Sequence, residues 1–61
     1  MKVKEITKSL INVRLHVGEN KNSANLKFLG YTRDIPAQYD ECEIIDIEPK
    51  AYINSIDVWA K

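Results

Sequence analysis

The residues with most chemical promise run Tyr39-Asp40-Glu41-Cys42-Glu43-Ile44-Ile45-Asp46-Ile47-Glu48-Pro49, five carboxylates around three isoleucines and a single cysteine. A calcium loop takes oxygen ligands at alternate positions and a glycine at its turn. This run has no glycine and places isoleucines in its middle, so a solvated acidic face is the stronger reading. General acid–base chemistry takes carboxylates in a pocket that drives their pKa values apart. Acids along an open strand of a small domain have no such pocket. Nucleophilic chemistry would need Cys42 and His16 on one face. Alternation turns His16 outward and Cys42 inward, where a cysteine behaves as a small apolar group.

Other catalytic equipment is missing as well. One cysteine and one histidine fall short of a four-ligand zinc set. Gly18 and Gly30 stand alone and make no phosphate loop. No catalytic residue, metal or cofactor is expected, and the protein is expected not to be an enzyme.

Two binding chemistries remain. Tyr39, Asp40, Glu41, Glu43, Asp46 and Glu48 could form a protein-binding surface, since a row of carboxylates imitates phosphates or steers a basic partner. Tyr52 and Trp59 fall in the same half, and aromatic anchors with a charged rim are typical of protein interfaces. The alternative is a single-stranded nucleic-acid platform of Arg14, His16, Lys27, Tyr31 and Arg33. There the cations would neutralise phosphates and the ring would stack on a base. No aromatic ribonucleoprotein signature accompanies it. A plainer reading is preferred for both sets. Leu29 and Tyr31 would cover a small second cluster, the cations would solubilise the sheet, and Trp59 would plug the core.

Four strands must position these groups. In Leu10 to Val17, Ile11, Val13, Leu15 and Val17 alternate with Asn12, Arg14 and His16, which predicts a strand with one buried face. Val3, Ile6 and Leu10 ahead of it have helical spacing in a segment short for a stable helix. Residues 18–24 form a polar turn, and residues 25–33 a second strand, paired antiparallel with the first because the connection is short. Gly30 weakens that strand or marks a bulge. Pro36 breaks the pattern. Residues 42–48 make a third strand ended by Pro49, and residues 52–60 a fourth.

Within the third strand the acids change parity at Ile44-Ile45. A β-bulge there would hold Glu41, Glu43, Asp46 and Glu48 on one face and put Cys42, Ile44, Ile45 and Ile47 inside. The fold expected is mostly β: an antiparallel sheet or small barrel of about four strands, with a short helix or helical turn. Its core should draw on Ile11, Val13, Leu15, Val17, Leu26, Phe28, Ile44, Ile47, Ile56, Val58 and Trp59.

Length and charge bound the rest. Sixty-one residues make one domain, which buries only about 60% of its unfolded surface, so the core is thin and a homodimer is expected. A lone cysteine forms no internal disulfide and fits a reducing compartment. MKVKEITKSL has no apolar signal region, and no run approaches the ~18 apolar residues of a membrane helix. A soluble cytoplasmic protein without membrane contact is expected. Residues 1–33 carry seven basic and two acidic side chains; residues 34–61 carry two basic and seven acidic. Such asymmetry hints at a charged partner. The plainer alternative is that the halves neutralise each other, which would remove support from both surfaces.

A compact Met-initiated chain of this size without catalytic equipment resembles the small accessory proteins of phages and other mobile elements. The resemblance is one of style and rests on no particular residues. The function expected is a non-enzymatic protein-interaction module of inhibitor or adaptor type, with nucleic-acid binding as the alternative.

Overall fold

In the computed structural model, which describes residues 1–61, strands β1 (Asn12–Val17), β2 (Asn25–Tyr31), β3 (Ile44–Lys50) and β4 (Ser55–Ala60) form one sheet. The spatial order is β2-β1-β4-β3. The protein is mostly strand, as expected, and the sheet stays open rather than closing into a barrel. It is mixed, because the two central strands β1 and β4 run parallel while each pairs antiparallel with its hairpin neighbour.

That arrangement follows from how the two hairpins are joined. Residues 32–43 leave one edge of the sheet and return at the other, so the second hairpin docks by its last strand. The crossing segment and a single-turn helix α1 (Val3–Ile6) form a second layer over one face. The layer is tied together by backbone bonds from Val3 N to Cys42 O, 2.9 Å, and from Lys4 N to Asp40 O, 3.1 Å.

Between sheet and layer lie Val13 and Leu15 of β1, Val58 and Ala60 of β4, Val3 of α1 and Ile35 of the crossing segment. Phe28, Val17, Ile44, Ile56, Tyr39 and Cys42 pack around them. The alternation of β1 thus selects the core face correctly. Ile11, Leu26 and Ile47 do not belong to the core and are substantially exposed. Ile11 precedes the strand, Leu26 faces the other side of the sheet, and the covering layer does not reach Ile47. Trp59 is not the core plug either. It lies opposite His16, on the face away from the covering layer.

The bulge expected in the third strand is present, as a register shift between Ile44 and Asp46. It brings Ile44 opposite Ala60 and Asp46 opposite Trp59, so apolar and acidic side chains part to opposite faces. Ile45 at the bulge is not inside; it remains exposed. Pro49 does not end the strand. It lies opposite Ile56 on the sheet edge, where a missing N–H is tolerated. The turn follows at Ala51–Ile53 and closes through Asn54 in the left-handed region, φ 52°, which asparagine adopts more readily than most residues.

A second bulge lies in the first hairpin, where Leu15 opposes Phe28 but His16 opposes Leu26, leaving Lys27 as the extra residue. Gly30 is not the bulge. The Phe28 ring lies over it, and an added Cβ would sit 3.0 Å from that ring. Gly18 has a stricter reason to be glycine, because a Cβ there would lie 2.6 Å from the Ala24 Cα.

Thr32 is fully buried where β2 ends. Its hydroxyl donates to Ser9 O at 2.6 Å and accepts from Ile11 N at 3.2 Å, and its own N–H donates to Ile11 O at 2.8 Å. This fixes the segment before β1 against the segment after β2. Thr32→Val keeps the shape and leaves the Ser9 carbonyl and Ile11 amide without the hydroxyl. The expected loss is about 1–3 kcal/mol, read as a lower urea midpoint at unchanged slope.

Candidate functional site

The sheet face away from the core carries the polar residues of β1 and β4, and the register fixes who meets whom. Arg14 lies opposite Asp57 and His16 opposite Trp59 on the central pair. Leu29 flanks Arg14 from β2, and Glu48 flanks Asp57 from β3.

Arg14 grips Asp57 with two parallel bonds, Nε to Oδ1 at 2.6 Å and Nη2 to Oδ2 at 2.9 Å. Asp57 is only 4% exposed although it lies on the open face. The Arg14 bonds hold its carboxyl below the usual carboxylate range, outweighing burial, which acts the other way. His16 Nε2 lies 3.7 Å from Asp57 Oδ1, beyond hydrogen-bond reach, and has no other partner. The imidazole stacks on Trp59 with ring centroids 5.1 Å apart and planes 15° apart. Lys21 reaches across from the β1–β2 turn. Its Nζ sits 4.2 Å from the Trp59 ring centroid and donates to Asp46 at 2.7 Å and Glu48 at 3.0 Å.

Four of the five carboxylates of the acidic stretch are therefore engaged, Asp40 being the exception. Glu41 accepts from Lys2 and Lys4, Glu43 from the Met1 amino group, and Asp46 and Glu48 from Lys21. These contacts lower the pKa of all four acids, the hydrogen bonds from their cationic partners being the chief cause. Tyr39 packs against the core, and the Asp40 backbone accepts from Lys4. Every ion pair except Lys50–Glu48 joins a cation of residues 1–33 to an acid of residues 34–61. The opposite halves neutralise each other within one molecule.

The basic set is divided. Arg14 and His16 face Asp57, whereas Lys27, Tyr31 and Arg33 are exposed, and neither Lys27 nor Arg33 has an ion-pair partner. Arg33 is past the end of β2, in a single 3-10 turn at Thr32–Asp34.

Alternation alone does not mark out an apolar strip beside these charges. Leu26, Leu29 and Tyr31 of β2 are 52%, 68% and 45% exposed, and Tyr52 and Ile53 stand clear on the β3–β4 turn. Leu29 and Ile53 flank a shallow cavity of about 240 Å³, also bounded by Arg14, Asn12 and Ser55. Its one sequence signal is the pairing of Leu29 and Tyr31 on the polar face of β2.

Set against family models, curated proteins and solved structures, the protein shows no significant match. No helix is long and apolar enough to cross a membrane.

The carboxylates with lowered pKa set the acid response. The unfolded state binds their protons first, so their stabilisation is complete above the ordinary values of 3.8 and 4.5 and fades as pH falls through the lower folded values. The thermal midpoint is expected to hold from neutrality to about pH 5 and to drop steadily below about pH 4. Arg14→Met strands Asp57 as a buried charge. It should cost about 2–3 kcal/mol, less than a fully buried pair because Arg14 is partly solvated. A urea titration of the variant at neutral pH measures that loss.

Proposed function

We propose that the protein is a small non-enzymatic interaction module, of inhibitor or adaptor type, acting in the cytoplasm by binding another protein. Its contact surface is the apolar strip Leu26-Leu29-Tyr31 with Tyr52 and Ile53, rather than the acidic stretch. One observation carries this reading: large apolar side chains stand exposed in a row on a sheet face whose central charges are already paired. A contiguous apolar patch with a polar rim is what protein-binding surfaces present. The internal neutralisation of Glu41, Glu43, Asp46 and Glu48 weighs against an acidic contact, since a partner would have to replace existing ion pairs.

Variants of the two surfaces separate the readings. Leu29→Lys changes a solvent-facing side chain and should leave the fold intact while abolishing capture of a protein partner. Glu41→Lys with Glu43→Lys should leave capture in place. The reverse pattern would return the contact to the acidic stretch.

A second reading, single-stranded nucleic acid on the first hairpin, is favoured by the exposure of Lys27, Tyr31 and Arg33. It predicts labelled-oligonucleotide anisotropy that rises at low salt and collapses steeply as salt is added. No rise at low salt removes it.

A further inference from the structure

The cavity beside Leu29 has a composition that narrows what it can hold. Leu29 and Ile53 supply apolar walls, and Arg14 supplies a guanidinium. Two of the Arg14 nitrogens are fixed by Asp57, which sets the plane of the group. A guanidinium carries five N–H donors in a rigid fork, and those not spent on Asp57 have no acceptor in the molecule. The Asn12 side-chain amide, on the same wall, also makes no hydrogen bond, while the Ser55 hydroxyl is committed to the Asn12 carbonyl at 3.1 Å.

The acids of this face, Asp46, Glu48 and Asp57, are all paired. Lys27 on β2 and Arg33 just after it are not paired, and neither is the exposed Asp34 beside Arg33, so the free charge of the region is mixed and it is the Arg14 donors that favour an anion. At about 240 Å³ the cavity is smaller than the ~300–1,000 Å³ of drug-sized ligand sites. It suits one large side chain. Arg14 and Leu29 are direct cross-strand neighbours, so an anion on one and an apolar group on the other must lie within a single residue's reach. An apolar residue at the very C-terminus of a polypeptide meets that condition, because it carries its own carboxylate. An internal acidic residue brings the charge without the apolar body.

We propose that this cavity is an anchor pocket for the C-terminal residue of a partner protein. The terminal apolar or aromatic side chain lies between Leu29 and Ile53, and its carboxylate accepts from the free N–H groups of Arg14. Terminal carboxylates are a recurring handle in peptide recognition, and guanidinium suits them through paired donors. Asp57 acts here as a positioning residue: its two bonds fix the plane of the guanidinium, whose remaining donors are unspent at the cavity wall. The pocket rests on the reading of the strip as a protein-contact surface and adds the chemistry of the anchor.

The test is a titration of the isotope-labelled full-length protein with N-acetyl-phenylalanine, N-acetyl-phenylalaninamide and acetate, followed by amide and arginine side-chain resonances. The acid should shift the Arg14 Nε–H, Gly30 and Ile53 signals together. It should bind roughly tenfold or more tightly than the amide, the ratio lost with one charge-assisted hydrogen bond, and also more tightly than acetate. Ile53→Ser, a change in an exposed turn, should abolish the advantage of the acid over acetate without altering the fold. Equal binding of acid and amide overturns the proposal, because Arg14 then contributes nothing. Equal binding of acid and acetate overturns it because the apolar walls contribute nothing. Absence of shifts at these residues with millimolar acid overturns it outright. If Leu29→Lys still abolishes partner capture in any of those cases, the strip stands as the contact surface and only the anchor falls.

Discussion

One register, between two parallel strands at the centre of the sheet, organises both faces of this protein. When β1 lies beside β4 with Leu15 opposite Val58, the core is assembled on one side. The same register brings Arg14 opposite Asp57 and His16 opposite Trp59 on the other. Neither face can be moved without the other, since a slip of one residue exchanges the two sets of side chains. Asp57 makes the constraint severe. Burying a carboxylate is costly unless it is paired and hydrogen-bonded, and only the observed register delivers Arg14 to it. The ion pair adds little net stability over an apolar substitute. Its effect is to penalise the alternatives.

The charge asymmetry between the halves of the sequence has the same origin. The first hairpin brings cations, the second brings acids, and the sheet interleaves them. Lys21 shows this most directly, reaching from the turn of the first hairpin to Asp46 and Glu48 on the far edge strand. Individually these exposed pairs are weak. Together they leave a face on which Asp46, Glu48 and Asp57 are all satisfied.

How much of this could be read from the amino-acid sequence differs from element to element, for physical reasons. The alternation of Ile11 to Val17 reports β1 because burial on one face imposes a period of two. The parity change at Ile44-Ile45 reports a bulge because the acids cannot stay on one face otherwise. The parallel contact of β1 with β4 leaves no such local trace, since it depends on where residues 32–43 cross. Core residues outside the strands are hidden for a similar reason. Val3 and Ile35 are buried by the covering layer; the helical spacing of Val3, Ile6 and Leu10 is too short a pattern to assign burial, and nothing periodic surrounds Ile35. The candidate surface is half legible: Leu29 and Tyr31 can be assigned to one face, but Ile53 joins them only through the geometry of the β3–β4 turn. That Arg14 and His16 face Asp57 requires the long-range register.

The edges of the sheet help to explain why its face is the available surface. An open edge strand invites another polypeptide to add to it. On β3 this is resisted by the bulge at Ile45 and the missing N–H of Pro49, and the start of the strand is already paired with Met1 and Val3 through Ile44 N to Met1 O and Val3 N to Cys42 O. On β2 the bulge projects Lys27, and a charged residue at a bulge interrupts a continuous ladder. Both edges thus carry devices that discourage strand addition, whereas the apolar row of Leu26, Leu29 and Tyr31 carries none. A sheet that guards its backbone and exposes its leucines offers side chains rather than hydrogen-bonding edges to a partner of the kind proposed. That favours a partner that seats a residue on the face over one that extends the sheet.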